Sequence, residues 1–581
     1  MTNKEIGKIF FQIAKVLELK DSNDRFRIIA YERAAQEVEN YAEEMREVYQ
    51  KGGLKALNEI PGVGESIAEK IEELLKTGKL KYLEKVKKNV PVSEVEFLQI
   101  PGIGPKMAIK IAKDLKAKSI DDLEKKLKNG KADKIFKEKT VANILRGIDI
   151  LKRMTGRMLI TEALPIAEEI VFLLKKIPDV GKADFVGSLR RMKETIGDVD
   201  IVATSKNPRK VIEAFTKMTG VSEVVSEGSA KSTIIHERGA QIDLEIVPAS
   251  EYGSLLQHFT GSKEHNVALR TYAQSIKKSL SEHGISVSAG PSPDGKVGKK
   301  QYRFSNEEDF YGFLKMAWIP PELRENRGEI EAALKNQLPA LVEIKDIKGD
   351  LHVHSDWSDG YMSISEIARL AEKLGYEYIG ISDHTVGLGV AHGLDEKALE
   401  KRQKEIEIVQ KAHSKIKILS SVEVNIKVNG DLDIKDWMLE KLDLVTASIH
   451  TSFYQDREKM TNRILKAIAH PQVDIIGHPS GRIIGQREPY EVDWSKIFQA
   501  CRKFGTALEI SAFPNRLDLK DTLCQEAKTY GVKFAINTDA HQSHHFDLIR
   551  FGVAVARRGW LEKEDIINSY SFEKLLAWAK R

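Results

Sequence analysis

The stretch DLHVHSDWSDG, residues 350–360, starts as a short apolar segment and carries three residues of metal-binding type, His352, His354 and Asp359. The same pattern returns along the rest of the chain, where short apolar runs end in His, Asp or Glu. These runs are YIGISDH (378–384), ILSSVEV (418–424), LVTASIH (444–450), DIIGHP (474–479) and AINTDAH (535–541). Apolar runs of this length predict β-strands.

Between the runs lie amphipathic segments of helical period, such as SISEIARLAEKLG (363–375) and DWSKIFQACRKFG (493–505). Strand and helix therefore alternate, which favours a parallel sheet. The predicted strands cover residues 349–354, 378–382, 417–423, 443–449, 473–477, 507–511 and 533–538. Seven such units predict a parallel (β/α) barrel, and the polar residues fall at the strand ends where barrel enzymes place their chemistry.

The residues at these strand ends form a candidate metal centre. They are His352, His354, Asp359, His384, Glu423, His450, His478, Asp539 and His541. Imidazoles and carboxylates together suit a multinuclear hydrolytic site of about three divalent ions, in which a carboxylate such as Glu423 bridges two of them. A single His at a strand end is commonly only a core residue, but eleven of the fifteen histidines lie beyond residue 350.

The N-terminal third contains an internal repeat. LNEIPGVGESIAEKIEELL (57–75) and FLQIPGIGPKMAIKIAKDL (97–115) share an I-P-G-apolar-G turn followed by an amphipathic segment, and residues 1–150 have helical spacing throughout. The turns place Gly62, Gly64, Gly102 and Gly104 at helix starts, where free N–H groups can hold a DNA phosphate without reading a base. Lys106 follows the second turn.

A second metal site is predicted in the middle of the chain. In GDVDIV (197–202), Asp198 and Asp200 share one face of a strand, and QIDLEIV (241–247) supplies Asp243. Three converging carboxylates suit phosphoryl transfer assisted by two ions. Upstream, the GSLRR segment (187–191) offers backbone and guanidinium donors to a triphosphate through its Gly187-Ser188 turn and its two arginines.

Composition excludes some classes of protein. A chain of 581 residues predicts three to five domains at roughly 150 residues each. With two cysteines, Cys501 and Cys524, no signal-peptide pattern and no apolar run of membrane length, we expect a cytoplasmic protein without membrane contact. The overall charge of +5 says little about partners, but residues 101–155 carry fifteen Lys/Arg against seven Asp/Glu, which fits contact with DNA.

Taken in order, these motifs resemble a known family. The helix-hairpin-helix repeats, GSLRR, GDVDIV, QIDLEIV and HFTGSKEHNVALR (258–270) resemble a family X, polymerase-beta-like DNA polymerase across residues 1–318. The C-terminal portion resembles a PHP domain, of the polymerase and histidinol phosphatase superfamily. The whole chain is similar to the bacterial and archaeal family X polymerases that carry a fused PHP domain.

The resemblance implies roles for particular residues. Asp198, Asp200 and Asp243 would bind the polymerase metals, and Ser188, Arg191 and Arg157 would contact the triphosphate. On the sugar and base side the implied residues are His258, Phe259, Gly261, Asn266 and Arg270. His258 replaces the tyrosine of eukaryotic relatives and Lys263 their aspartate, which leaves sugar discrimination and nucleotide affinity open.

Lys70 occupies the position of the family's Schiff-base lysine, which removes a 5′-deoxyribose phosphate. Its surroundings are altered, since Ser66 stands for a lysine and Phe26 with Arg27 for a His-Lys pair. A lysine on a helix face is commonly no more than a solvated charge. Lyase activity is therefore an open expectation.

The expected fold class is multidomain, with an all-α N-terminal region, a nucleotidyltransferase palm and thumb, and a distorted (β/α)7 PHP barrel. The expected domains are a helix-hairpin-helix domain at 1–82, a second one (fingers) at 83–152, a palm at 153–258, a thumb at 259–320, a packed linker at 321–347 and the PHP domain at 348–581. Expected cofactors are Mg²⁺ or Mn²⁺ at the palm and up to three Mn²⁺, Zn²⁺ or Fe²⁺ ions in the barrel.

The leading hypothesis is a gap-filling repair polymerase that also trims 3′ ends in its PHP domain. Cutting of abasic sites by the same domain is left open. Its expected partners are gapped or nicked duplex DNA with a 5′-phosphate and deoxynucleoside triphosphates, and we expect a monomer. A second hypothesis is a DNA-targeted PHP phosphatase of small phosphomonoesters with a weak or inactive polymerase core. A third is a non-catalytic DNA end-binding scaffold, which the absence of Cys501 and Cys524 from the ligand motifs disfavours, because structural zinc sites commonly include cysteine.

Overall fold

The computed structural model describes residues 1, 3–20, 25–41, 44–60, 62–88, 92–132, 134–291, 297–388 and 391–579. The chain divides into two compact units. Unit 1 comprises residues 1–155 with 483–488, and unit 2 comprises residues 156–482 with 489–581.

Unit 1 is helical. Its helices are α1 (Asn3–Lys20), α2 (Arg25–Asn40), α3 (Met45–Asn58), α4 (Glu65–Thr77), α5 (Lys81–Lys87), α6 (Val92–Phe97), α7 (Pro105–Asp114), α8 (Ile120–Lys128) and α9 (Glu138–Met154). Their apolar faces form two cores, one that contains Phe10, Ile71 and Leu74, and one that contains Phe97 and Ile111. The predicted all-α character of residues 1–150 is confirmed in the described residues.

Unit 2 begins with an α/β region built on a mixed five-stranded sheet. Its elements are β1 (Met158–Leu159), α10 (Ile160–Lys175), β2 (Val180–Phe185), α11 (Gly187–Arg190), β3 (Thr195–Ile196), β4 (Val199–Ser205), α12 (Pro208–Phe215), β5 (Val221–Glu227), β6 (Lys231–His236) and β7 (Gln241–Val247). The sheet order is β2-β4-β7-β6-β5, in which β4 and β7 are parallel. This region is called the palm below.

A mixed helical and three-stranded region follows the palm and is called the thumb below. It contains α13 (Tyr252–Thr260), α14 (Lys263–Ser275), β8 (Lys278–Ser281), β9 (Gly284–Pro291), β10 (Val297–Tyr302) and α15 (Glu307–Phe313). A connector then carries α16 (Glu329–Leu334). Ile319, Leu323 and Ile330 are buried in the core of the thumb, so the connector is packed, as its helical pattern predicts.

The rest of unit 2 is a seven-stranded parallel barrel. Its strands are β11 (Gly349–Val353), β12 (Tyr378–Ile381), β13 (Lys417–Asn425), β14 (Leu444–Ser448), β15 (Ile475–Ile476), β16 (Ala507–Ser511) and β17 (Phe534–Asn537). The helices are α17 (Ile364–Leu374), α18 (Glu396–Ala412), α19 (Asp436–Leu439), α20 (Arg457–Ile468), α21 (Trp494–Phe504), α22 (Asp521–Thr529), α23 (Ile549–Arg558) and α24 (Phe572–Ala579).

The strands pair in chain order, and the barrel is nearly closed where Val353 forms a parallel bridge with Ala540. The predicted seven βα units are therefore confirmed. Apolar residues at the strand starts, among them Leu351, Leu444 and Ala507, pack together at the N-terminal end of the barrel. The opposite end is left for the polar residues.

No helix in the described ranges combines the length and apolar character that a membrane span requires.

Candidate active sites

The nine candidate ligands of the barrel converge at the C-terminal ends of its strands. The donor atoms of eight of them form three groups, and within each group all atoms lie within 4.8 Å of one another. The groups are His354, Asp359, His384 and His541; His352, His354 and Asp539; and His384, Glu423 and His450. His478 joins them through Glu423, whose Oε1 lies 3.0 Å from its Nε2. The sequence motifs therefore meet in space.

Glu423 lies at the middle of this cluster and is almost fully buried. Its Oε2 is 2.8 Å from His384 Nδ1, and its Oε1 is 3.3 Å from His450 Nε2. Burial alone would raise the pKa of this carboxyl, but His450, His384 and His352 hold it well below its usual range. Its two oxygens thus face different histidines as an ionised carboxylate, which is what a bridging ligand requires.

The spacing of the donor atoms suits shared divalent ions better than hydrogen bonds between the side chains. His352 Nε2 is buried without a hydrogen-bond partner among the described residues and lies 3.5 Å from Glu423 Oε2 and 3.9 Å from Asp539 Oδ1. His354 Nδ1 is likewise buried and lies 3.8 Å from Asp359 Oδ1. Two ligands held at about 2.0–2.2 Å from one ion lie about 3–4 Å apart, whereas unpaired buried nitrogens are unfavourable.

Several residues that hold the ligands in place are absent from the sequence predictions. The most prominent is Glu509 in β16, whose Oε1 is 2.7 Å from His352 Nδ1 and whose Oε2 accepts the backbone N–H of His478 at 2.6 Å. Asn537 donates to the same carboxylate at 2.9 Å. A glutamate inside the apolar run ALEIS (507–511) was the available signal, because an acidic residue on a buried strand needs partners.

One cation, Arg516, lies beside the cluster. Its Nε is 3.8 Å from Asp539 Oδ2, and its side chain is 20% exposed. Asp359 and His541 are the most exposed ligands, at 27% and 23%, so the cluster opens to solvent on their side. The loop between β16 and α22 that carries Arg516 has no motif, so the position of this residue could not be predicted from the sequence.

The palm carries the second candidate site. Asp200 in β4 and Asp243 in β7 are direct partners in the parallel register, and Asp198 immediately precedes β4. Carboxylate oxygens of all three lie within 4.8 Å of one another. Burial, then the neighbouring charges of Asp198 and Asp243, raises the pKa of Asp200 to about 7. Carboxylates that repel each other in this way are stabilised by a divalent cation, so these residues also fit metal ions.

Residues on neighbouring strands complete the palm site. Thr233 in β6 donates its hydroxyl to Asp243 Oδ1, and Gln241 donates to Asp243 Oδ2 at 2.9 Å. A cavity of about 280 Å³ lies in front of Asp200 and Asp243, with Lys231 and Phe259 among its lining residues. Thr233 and Lys231 were missed at the sequence level because β6 carries no motif.

The Gly187-Ser188 turn lies against the palm carboxylates. Gly187 has φ of 64°, and a Cβ at this position would lie 2.4 Å from Asp200 Oδ2, so only glycine fits there. Ser188 follows in α11 and is partly buried. The backbone of the turn, which is predicted to contact the triphosphate, therefore lies next to the predicted metal ligand Asp200.

The three arginines near this turn differ in their contacts. Arg190 forms two hydrogen bonds to Glu307, of 3.0 and 2.8 Å, and one to Thr260 Oγ1 of 2.7 Å. Its guanidinium therefore joins palm to thumb, and its Nη1 and Nη2 are committed to Glu307 and Thr260, whereas the sequence predicts that both arginines of GSLRR offer donors to a triphosphate. Arg191 donates its Nη1 to the Thr260 carbonyl, and its Nε lies 3.0 Å from Glu325 Oε1.

Arg157 lies beside Thr195 and Gly197. It donates to Thr195 Oγ1 at 3.1 Å and to the Thr195 carbonyl at 2.6 Å. A Cβ on Gly197 would lie 3.2 Å from Arg157 Nη1, which places this guanidinium beside the residue that precedes Asp198. Its position is compatible with the predicted helper role.

The sugar- and base-side residues also gather at one place. Asn266 donates its amide to the His258 carbonyl at 2.7 Å, and Arg270 Nη2 lies 3.4 Å from His258 Nδ1. Phe259 packs edge-on against His258 and faces the palm cavity. Gly261 has φ of 69°, and a Cβ there would lie 3.0 Å from Arg191 Nη1.

Comparison with known proteins agrees with this geometry. The DNA polymerase/3′-5′ exonuclease PolX of Bacillus subtilis (strain 168) is 34% identical over the full length of both chains. The chain belongs to family X of the DNA polymerases, in the branch that carries a PHP domain. The resemblance and the fold class predicted from the sequence are thereby confirmed.

Models of individual domains match along this family X chain. They are a helix-hairpin-helix domain at residues 1–80, a SAM-like helix-hairpin-helix tandem at 94–149, a DNA polymerase beta thumb at 255–325 and a PHP domain at 350–512. DNA polymerase lambda of Rattus norvegicus is 28% identical over 52% of this chain and 53% of its own. A probable phosphatase of Thermoanaerobacter sp. (strain X514) is 35% identical over 38% of this chain and 89% of its own.

In unit 1 the two hairpin turns of this family X polymerase have the same geometry. Gly62 and Gly102 have φ of 75° and 83°, and Gly64 and Gly104 are the N-caps of α4 and α7. All four are exposed, and a Cβ on Gly64, Gly102 or Gly104 would meet nothing within 4 Å. Lys106 is exposed in the first turn of α7. Two open helix N-termini are therefore available to phosphates.

Lys70 lies in α4 beside two aromatic rings. Its Nζ is 5.9 Å from the centre of the Tyr31 ring and 5.2 Å from that of Tyr82, and it donates to the Ser66 carbonyl and hydroxyl at 2.7 Å. Burial lowers the pKa of this amine, and Arg27 lowers it further, against the opposing effect of Glu69. A lysine with a lowered pKa is a better nucleophile near neutral pH.

Proposed function

We propose that this chain is a template-directed DNA polymerase that fills gaps during base excision repair and also removes nucleotides from 3′ ends in its PHP barrel. The observation that carries the proposal is that two separate ligand clusters occur in one chain. One is formed by three palm carboxylates, and the other by eight grouped ligands at the barrel mouth with His478 beside them. The full-length similarity to a DNA polymerase/3′-5′ exonuclease supports the pairing of these two activities.

In the palm, Asp198, Asp200 and Asp243 would hold Mg²⁺ or Mn²⁺. When bound, such ions activate the primer hydroxyl and neutralise the leaving phosphates. Thr233 and Gln241 fix the orientation of Asp243 by hydrogen bonds to its two oxygens.

The residues around the palm carboxylates would bind the nucleotide. Ser188, Arg191 and Arg157 bind the triphosphate, while Phe259 and His258 lie against the sugar. Asn266 and Arg270 contact the minor-groove edges of the new pair and the template. The hydrogen bonds among His258, Asn266 and Arg270 hold these three side chains together in readiness for that contact.

In the barrel, the nine ligands would hold up to three divalent ions. Such ions supply a hydroxide nucleophile and neutralise the phosphodiester. Glu509 fixes the ring of His352 and the backbone of His478, so the ligands are placed before substrate arrives. Arg516 is positioned to hold a phosphate oxygen, and the exposed side at Asp359 and His541 is where a 3′ end would enter.

Unit 1 would hold the DNA. The two hairpin turns bind phosphates of the backbone, and the N-terminal turn at Gly62 and Gly64 accounts for a preference for gaps with a 5′-phosphate. We expect the protein to act as a monomer in the cytoplasm. The division of the chain into six domains stays a prediction.

Lys70 would act as a Schiff-base nucleophile on 5′-deoxyribose phosphate, a role supported by its lowered pKa and its aromatic neighbours.

A second candidate function follows from the barrel alone. Several relatives that match only 36–38% of this chain are named probable phosphatases. In that case the barrel would hydrolyse small phosphomonoesters, and the remainder of the chain would deliver it to DNA.

The test uses duplexes labelled at the 5′ end of the primer strand, one with a one-nucleotide gap and one with a recessed 3′ end. They are incubated with the protein and Mg²⁺ or Mn²⁺, with and without deoxynucleotides. We expect extension by one nucleotide in the gap and shortening when deoxynucleotides are omitted. Fast release of phosphate from p-nitrophenyl phosphate without any shortening would instead favour the phosphatase.

A further inference from the structure

Arg558 is one of the barrel residues that contact the nucleotide side of the palm. Arg558 is the last residue of α23, and it is only 3% exposed. Its Nη1 donates to the backbone carbonyl of Arg191 at 2.7 Å and lies 3.1 Å from Glu325 Oε1. Its Nη2 donates to Asp521 Oδ2 of the barrel at 2.7 Å. Arg558 therefore connects the barrel to the backbone of the GSLRR segment.

Glu325 joins the two arginines. The same carboxylate oxygen, Oε1, is 3.0 Å from Arg191 Nε and 3.1 Å from Arg558 Nη1. Its other oxygen is 3.7 Å from Lys193 Nζ. Arg558 thus contacts both the carboxylate that holds the Arg191 side chain and the carbonyl that fixes its backbone.

These contacts fix the orientation of the Arg191 guanidinium. Nε is directed at Glu325 and Nη1 at the Thr260 carbonyl, so two of its three nitrogens are committed. Nη2 has no hydrogen-bond partner within the described ranges. A planar guanidinium held on two nitrogens presents the third in a defined direction, and a side chain that is ordered before binding loses less entropy when the ligand arrives.

The local charge also suits an anion. The connected ion pairs contain four cations, Arg191, Arg558, Lys193 and Arg327, against two carboxylates, Glu325 and Asp521. Because these groups, apart from the 37% exposed Lys193, are largely shielded from solvent, the excess of positive charge is screened less than it would be at the surface. A triphosphate at Arg191 would balance it.

We propose that Arg558 and Glu325 are positioning residues of the polymerase site, through which the PHP barrel orients Arg191 and so sets the affinity of the palm for the incoming deoxynucleoside triphosphate. The proposal rests on the role of Arg191 given under Proposed function. It assigns to the barrel a contribution to polymerisation that is independent of its metal ligands.

A purely structural role for Arg558 is the competing explanation, and the adjacent residue provides a matched control. Arg557 lies in the same helix, forms an ion pair of 2.7 Å with Glu322 and donates to the Val342 carbonyl at 3.1 Å. It therefore also joins the barrel to residues outside it, but neither of these two contacts involves Arg191 or Glu325. Loss of barrel docking in general should affect both arginine variants alike.

The experiment measures single-nucleotide gap filling by the full-length protein, with KM for the deoxynucleotide and kcat determined separately. The variants are Arg558→Met, Arg558→Lys, Glu325→Gln, Arg557→Met and Arg191→Ala. We expect KM to rise by about tenfold in Arg558→Met and Glu325→Gln, with kcat changed far less, because prior ordering of Arg191 chiefly lowers the cost of binding. Arg557→Met should have the KM of the unmodified protein, and 3′ trimming should be retained by Arg558→Met.

A double variant tests whether Arg558 acts through Arg191. If it does, adding Arg558→Met to Arg191→Ala should raise KM no further. Additive effects, or equal increases in the Arg558→Met and Arg557→Met proteins, would overturn the proposal. If Arg558→Met does not fold, Arg558→Lys and Glu325→Gln decide, and an unchanged KM in both contradicts it.

The outcome for Arg191→Ala separates this inference from the function on which it rests. An unchanged KM in Arg191→Ala would remove the assigned role of Arg191 itself. A raised KM in Arg191→Ala together with an unchanged KM in Arg558→Met and Glu325→Gln would leave that role in place and reject only the contribution of the barrel.

Discussion

The palm and the barrel differ in the kinds of ligand that they offer to divalent ions. The palm uses three carboxylates, of which Asp198 is exposed, and their mutual repulsion contributes to a raised pKa at Asp200. The barrel uses six imidazoles and three carboxylates, and its central Glu423 has a lowered pKa because histidines surround it. An open carboxylate site suits an ion that arrives with a triphosphate, whereas a buried imidazole site suits an ion that stays.

The same contrast extends to the supporting residues. In the palm, Asp243 has hydrogen bonds from Thr233 and Gln241, and the carboxylates face a cavity of about 280 Å³. In the barrel, Glu509 holds two ligands at once from a fully buried position. The palm therefore remains accessible to a bulky substrate, while the barrel ligands are fixed in advance.

The largest expected effect is on extension. Replacing Asp198 or Asp200 with Asn removes a charge that would stabilise the transition state through the bound ions, so the rate of gap filling should fall by at least about a hundredfold. Single-turnover extension of a gapped duplex measures it, and trimming by the same proteins serves as the control for folding. Near-normal extension by a protein with both substitutions would show that the palm carboxylates are not the polymerase site.

A large effect on stability is expected at Glu307, a buried carboxylate that is paired with arginines and not with metal ions. Glu307 is buried between Arg324 and Arg190, at 2.6 and 2.8 Å. Burial would raise the pKa of Glu307, but these arginines lower it to about 2. Glu307→Gln leaves Arg324 buried without its counter-charge and should lower the free energy of unfolding by about 3 kcal/mol.

The pH dependence of this effect has a definite sign. Because the pKa of Glu307 is depressed in the folded protein, its stabilisation is present above the unfolded pKa near 4.5 and is lost as the pH falls toward 2. The difference between the unmodified and Gln proteins should be constant from pH 7 to about pH 5 and shrink below that range. Denaturant titration at several pH values measures it, and a difference that grows on acidification would contradict the assignment.

A smaller effect is expected from the residue that orders the barrel ligands. Glu509→Gln keeps the size of the side chain but weakens its hold on His352 Nδ1, so metal affinity should fall by about ten- to a hundredfold. Metal content after dialysis against a graded chelator measures this directly, without an activity assay. Unchanged metal retention would mean that the barrel ligands are not ordered in advance, and the contrast with the palm would weaken.

The smallest effect is expected from the DNA contacts that both sites share. Gly62→Val strains an exposed turn residue with φ of 75°, so affinity for a 5′-phosphorylated gap should fall by about tenfold and the preference for the phosphate should disappear. Binding measured across a salt series, with Glu59→Gln as an exposed control near the same turn, tests this. A preference that survives would place phosphate recognition elsewhere.

The sequence predicted those parts of the two sites that lie in short motifs. The barrel ligands follow apolar runs, the palm aspartates alternate on one strand, and the hairpins repeat, so each is visible within about ten residues. What the sequence did not reveal depends on long-range pairing. Arg190 forms its ion pair with Glu307, 117 residues away in the sequence, and Glu509 contacts His352, 157 residues away. No local pattern indicates which partner a buried charge will find.

The most direct test of the central claim, that extension and trimming occur at different metal sites, is the shortening of a labelled 3′ end by purified Glu423→Gln and Asp198→Asn proteins side by side with Mn²⁺. We expect Asp198→Asn to shorten the strand at close to the unmodified rate and Glu423→Gln to leave it intact while still filling a matched gap. Shortening that survives in Glu423→Gln and disappears in Asp198→Asn would place the nuclease in the palm and contradict the account.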